Sequence, residues 1–134
     1  MSNKIVARYR DGRTVKGASM DVDPGRPSCH VRTPEGQTVE VWLKDLKALF
    51  FVRSLEGDST RDENRTPNPQ DLRSRGSKLM ALTFEDGEVM VGLTNRYPPN
   101  RPFFFILPVD PESNNLRMLV NRDAVTSMEA VGNE

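Results

Sequence analysis

Hydrophobic and polar positions alternate with a period of two along most of the chain. Ile5, Ala7 and Tyr9 are interleaved with positions that include Lys4, Arg8 and Arg10, and an Asp11-Gly12 pair follows. After it Val15 and Gly17 alternate with Thr14 and Lys16. That pattern predicts two strands, 4–10 and 13–20, joined through Asp-Gly, because Gly and Asp tolerate the positive φ of a tight primed turn. The same pattern returns at one constant offset. Met80, Leu82 and Phe84 lie over Ile5, Ala7 and Tyr9, Asp86-Gly87 lies over Asp11-Gly12, and Gly92 lies over Gly17, with no gap. A second hairpin is expected at 78–85 and 88–95. Gly17 and Gly92 suit a bend or bulge where a small sheet curls.

Each hairpin runs into a Pro-rich loop, 21–28 and 96–102, and then three more strand-like segments. In the first copy these are 29–33, 38–43 and 47–53, with a polar turn at 34–36. In the second they are 103–109, 116–121 and 125–131, with a turn at 110–115. Lys44-Asp45 and Arg122-Asp123 each suggest a short 3₁₀ turn before the last strand. No helical period appears, so the expected class is all-β. Residues 54–77 contain no aromatic and only Leu55 and Leu72 as sizeable hydrophobes, which cannot offset the entropy of ordering the segment. They read as a polar linker or long loop, or as a strap anchored through the two leucines. The domain reading is therefore 1–53, linker 54–77, and 78–134.

An Asp-Gly hairpin, a glycine six residues after the Asp, a bulky third strand and a short turn before a closing strand together resemble the Sm-like or SH3-like small barrel. Residues 85–125 also resemble an uncharacterised bacterial domain family that has a DGE hairpin, an apolar run ending in Pro and an Asp-then-Ser-Asn-Asn turn. The resemblance implies two tandem five-stranded barrels and supplies no activity. Packing of the two as a pseudo-symmetric pair is favoured, because units of ~50 residues are marginal alone.

Charge sharpens this picture. The 134 residues carry 19 basic and 19 acidic side chains, which excludes a globally basic nucleic-acid binder. Residues 1–57 hold ten basic against seven acidic and 78–134 hold five against eight, so the two copies carry opposite surpluses of three. Attraction between the copies, or between chains, is the expectation. The mean hydropathy of -0.59, the absence of a long apolar run and a single cysteine point to a cytoplasmic protein with no membrane span and no internal disulfide. The start of the chain shows no apolar signal segment, in keeping with that reading.

Candidate chemistry is sparse. The one Cys and the one His are adjacent, Cys29-His30, and strand neighbours point to opposite faces, so no nucleophile–base pair forms from them. No cofactor or metal is expected, since one histidine and scattered carboxylates cannot build a site. Arg61 and Arg65 form an RxxxR spacing similar to that by which PilZ domains grip cyclic di-guanylate, but the D/NxSxxG segment of those domains is missing. Sm-like RNA contacts would need an Arg-Gly that does not follow Asn95-Arg96 or Asn121-Arg122. Arg96, Tyr97 and Arg101 sit on a Pro-stiffened loop suited to recognition. The leading expectation is a non-catalytic interaction module that binds a protein partner, or itself, through sheet edges or this loop. The alternative is a nucleotide or nucleic-acid sensor using Arg61 and Arg65.

Overall fold

The computed structural model describes residues 2–56, 78–94 and 101–131. In chain order the strands are β1 Asn3–Tyr9, β2 Thr14–Ser19, β3 Ser28–Arg32, β4 Thr38–Trp42 and β5 Leu46–Val52, then β6 Lys78–Phe84, β7 Val89–Thr94, β8 Phe103–Pro108, β9 Asn115–Asn121 and β10 Val125–Val131. Short 3₁₀ turns, Leu43–Asp45 and Arg122–Ala124, precede β5 and β10. The protein is all-β, as the alternation predicts. Among the described residues no helix is long and apolar enough to cross a membrane.

Both Asp-Gly hairpins form, with a turn other than the expected primed one. Positive φ occurs at Gly12 and Gly87 (97° and 91°) and at no non-glycine among the described residues. The amide of Gly12 donates to the Tyr9 carbonyl and that of Gly87 to the Phe84 carbonyl, closing four-residue turns whose last residue is the left-handed glycine. The Asp carboxylates stabilise these turns by accepting from the amide two residues on, Arg13 in one and Glu88 in the other, both at 3.0 Å.

The ten strands form one antiparallel sheet in the order β10-β6-β7-β8-β9-β5-β1-β2-β3-β4. Within it β1 pairs β5 as β6 pairs β10, down to a register slip at the same place, where Tyr9 faces Leu46 and Phe84 faces Val125. The strands run continuously across a junction between the two halves, in which β5 pairs β9 from Ala48↔Val120 to Val52↔Asn115. Such a junction strand must be apolar on both faces, and all seven residues of β5, LKALFFV, are buried. Leu49 and Phe51 enter one core with Ile5, Val31 and Leu119. Ala48, Phe50 and Val52 enter the other with Leu82, Phe84 and Ile106.

Three polar side chains tie the junction. Asn121, buried, donates through Nδ2 to the carbonyls of Leu46 (2.8 Å) and Lys44 (3.3 Å), while its Oδ1 accepts from the Asp123 amide. Arg53 donates to the Ser113 and Pro111 carbonyls, and Asn114 exchanges side-chain bonds with the backbone of Ser54. The Asp110–Asn115 turn is thereby docked on the end of β5. Ser54 is bonded to Asn114 and Leu55 packs on the second core, the contact expected of a strap anchored through that leucine. Leu72 lies outside the described residues.

Candidate functional site: a cleft between two strand edges

Gly17 and Gly92 are the origin of the site. A Cβ built on Gly17 would lie 2.2 Å from the Arg32 carbonyl oxygen, and one on Gly92 would lie 2.9 Å from both the Leu107 oxygen and the Ile106 Cδ1. The neighbouring strand therefore crosses directly over each glycine, an approach that a side chain would block. Having crossed, the strands diverge. β3 pairs β2 at Ala18↔Arg32, and β8 pairs β7 at Gly92↔Pro108 and Leu93↔Leu107. Residues 14–16 of β2 and 89–90 of β7 thus have no strand on their outer side among the described residues, while at Val91 the carbonyl still takes the Val109 amide, since Pro108 has no N–H of its own to make the bridge.

Hairpin geometry tells which backbone groups face that side. The Tyr9 amide donates to the Arg13 carbonyl, so Val15 and Gly17, at the same parity, bond toward β1 while Thr14 and Lys16 face outward. In the other hairpin the Phe84 amide donates to Glu88, so Met90 and Gly92 bond toward β6 while Val89 and Val91 face outward.

Both edges line one cleft of about 500 Å³. Its floor is the face of β1, β5 and β9 that carries Val6, Phe50 and Met118, side by side in register. Arg8 and Lys16 stand at its cationic side, with the Arg8 guanidinium 5.3 Å from the centre of the Phe50 ring and the Lys16 ammonium donating to the Leu55 carbonyl at 3.2 Å. Neither cation meets a carboxylate within ion-pair distance among the described residues. Glu56 and Glu88 supply the anionic side, and Glu88 is already engaged by Lys47.

The halves are fastened beside this cleft by charge. Arg10 grips Glu85 through two bonds of 2.7 and 3.1 Å and also donates to the Asp123 carbonyl. Lys47, almost fully buried, donates to Asp86 (2.8 Å) and Glu88 and lies 4.8 Å from the Phe84 ring centre. Burial pulls the Lys47 ammonium toward lower pKa, and the bonds to Asp86 and Glu88 outweigh it, so the group is held above its ordinary value. The bond to Lys47 holds Asp86 below its own. The opposite charge surpluses of the two halves meet here.

Cys29 and His30 diverge as strand neighbours must. Cys29 is buried, and burial first, then the Asp21 charge, pushes its thiol up to about 11. His30 is exposed, its Nδ1 2.7 Å from Asp21 Oδ2, and Asp21 Oδ1 accepts from the His30 amide and the Ser19 hydroxyl. Among the described residues no group of three or more His, Cys, Asp or Glu side chains could hold a metal ion.

Of the residues the sequence singles out, Arg61, Arg65, Arg96 and Tyr97 lie outside the described residues. Arg101 is exposed just before β8. The cleft itself was not anticipated. Its only sequence signals are the paired glycines and the apolar run 48–52 of β5.

No curated protein and no solved structure matches the chain. Its family is nonetheless shown, for residues 1–132, nearly the whole length and both halves of the sheet, match the model of a family of unknown function, DUF6982, to which the chain belongs.

Proposed function

We propose that the protein is a non-catalytic cytoplasmic interaction module, built of two Sm-like or SH3-like units (1–53 and 78–134), that binds a protein partner along the strand edges of its central cleft. The observation that carries this reading is the pair of outward edges, 14–16 and 89–90 with the Val91 amide, lining one cleft over an apolar floor. Unpaired backbone donors and acceptors beside apolar surface are what an added strand recognises. Support for the duplicated units comes from the shared register of β1·β5 and β6·β10 and from the matching glycines. Support for a role without catalysis comes from the protonated, buried Cys29 thiol and its separation from His30.

The test is site-specific photo-crosslinking in the native host, with the photoreactive residue at Val89, exposed on the cleft edge, and at Met20, exposed elsewhere. A defined adduct from position 89 and none from position 20 is expected. Equal labelling at both positions, or none at 89, rejects the reading. The competing sensor reading is settled by titrating the full chain with cyclic di-guanylate and short single-stranded RNA at low salt, where no saturable binding is expected.

A further inference from the structure

We infer that the cleft takes an extended peptide segment of alternating apolar residues with one acidic side chain, which Arg8 receives. This inference rests on the proposed role of the cleft edges and names the chemistry of the partner.

The backbone of the occupant is dictated by the edges. Thr14 and Lys16 on β2 and Val89 on β7 direct amide and carbonyl groups outward along the cleft, and Val91 adds its amide, its carbonyl being taken by the Val109 amide beside Pro108. An extended chain satisfies such rows at every second residue, whereas a helix, whose own groups are internally bonded, satisfies none.

Its side chains are dictated by the floor. Facing Val6, Phe50 and Met118 the segment presents every second residue, and these must be apolar to gain from leaving water. Charge decides the remaining position. Glu88 is already paired with Lys47, an ammonium it shares with Asp86, and the Glu56 carboxylate is kept ionised first by the bond from the Ser54 hydroxyl, with Lys4 and Lys16 near enough to favour its charge. Arg8 has neither a carboxylate nor a hydrogen-bond partner among the described residues, only the Phe50 ring beneath it. A guanidinium stacked on a ring keeps its edge N–H groups available for a planar carboxylate, which it can take in two parallel bonds. A basic segment would instead bring like charge against Arg8 and Lys16.

The experiment is a selection on the full chain from a display library of random seven-residue peptides, repeated on Arg8→Glu. The selected peptide is then bound in solution and its contacts mapped by amide shifts. Alternating apolar peptides with an acidic residue should be enriched, shifting the amides of Thr14, Lys16, Val89 and Val91. Arg8→Glu should weaken the best peptide at least ~10-fold and reverse its charge preference. Val89→Pro removes one outward amide without touching the bonds to β6 and should also weaken binding. Should that variant not fold, N-methylating alternate amides of the peptide makes the same test from the other side.

Enriched basic peptides, a charge preference that survives Arg8→Glu, or binding undiminished by N-methylation overturns the inference while leaving a peptide-binding cleft. Saturation of the site by inorganic phosphate alone overturns it too. Failure of any peptide to bind, together with no crosslink at position 89, removes the underlying reading itself.

Discussion

Replacing Asn121 with alanine is the sharpest probe of the β5–β9 junction. The side chain is 3% exposed and makes three bonds that cross or cap the junction, to the Leu46 carbonyl at 2.8 Å, the Lys44 carbonyl at 3.3 Å and from the Asp123 amide at 3.0 Å. A protein hydrogen bond contributes a net ~1 kcal/mol, and a buried partner left without one costs about 1–3 kcal/mol, so the loss expected for Asn121→Ala is roughly 2–4 kcal/mol. Against a total of about 5–15 kcal/mol for a domain this is a large fraction. With an unfolding entropy of about 2.1 cal/mol/K per residue it corresponds to a Tm lower by roughly 7–14 °C. The assay is urea unfolding followed by Trp42 fluorescence, which reports the β4 end of the sheet, and by far-UV circular dichroism, which reports all ten strands. Both probes should trace one superposable transition in each protein, displaced in the variant. A loss below ~0.5 kcal/mol, the scale of an ordinary surface substitution, would refute the clamp. Separate transitions in the native protein would refute the continuous sheet.

Three further outcomes follow from local geometry. Gly17→Ala forces a Cβ to within 2.2 Å of the Arg32 carbonyl oxygen and should cost about 3 kcal/mol or more, exceeding Gly92→Ala, where one of the two close contacts is the flexible end of Ile106; denaturation that reverses this order contradicts the strand-crossing explanation. The Cys29 thiol, raised to about 11, should react with a thiol reagent at pH 8 only as fast as the fold opens, whereas rapid stoichiometric labelling of native protein would show it exposed or activated. His30 is raised above 6.5 by its bond to Asp21, and Asp21 is lowered to about 2, chiefly by the His30 amide and then by its ring. The contribution of the charged pair is therefore present below pH 6.5, fades as pH rises through the raised histidine pKa, and is lost at the acid end as pH falls through about 2. Proton NMR titration should place His30 above 6.5 and Asp21→Asn should return it toward that value; an unchanged midpoint in the variant would deny the pairing.

Much of the fold is legible because it is written locally. Period-two alternation reveals the strands, Asp-Gly marks both hairpins, and short turns before β5 and β10 follow from Lys44-Asp45 and Arg122-Asp123. The turn type is not legible from Asp-Gly alone, because only the glycine takes positive φ in these turns while the Asp acts through its side chain. The junction was not legible, since pairing between β5 and β9 depends on residues about seventy positions apart. The double-sided burial of LKALFFV is its one local trace. Opposite charge surpluses did foreshadow contact between the halves, yet not that Arg10 and Lys47 would be the cations used. The cleft lay further from view. Gly17 and Gly92 suggested a bend, but only the crossing of β3 and β8 over them exposes the two edges.

Residue-resolved amide hydrogen exchange of the isolated protein tests those edges most directly, without any partner. The outward amides of Thr14, Lys16, Val89 and Val91 should exchange nearly as fast as unstructured chain, while the inward amides of Val15 and Met90, one residue away, are protected by their bonds to β1 and β6. Equal, strong protection of the outward and inward amides would mean that both edges are already occupied, and would contradict a cleft held open for a partner strand.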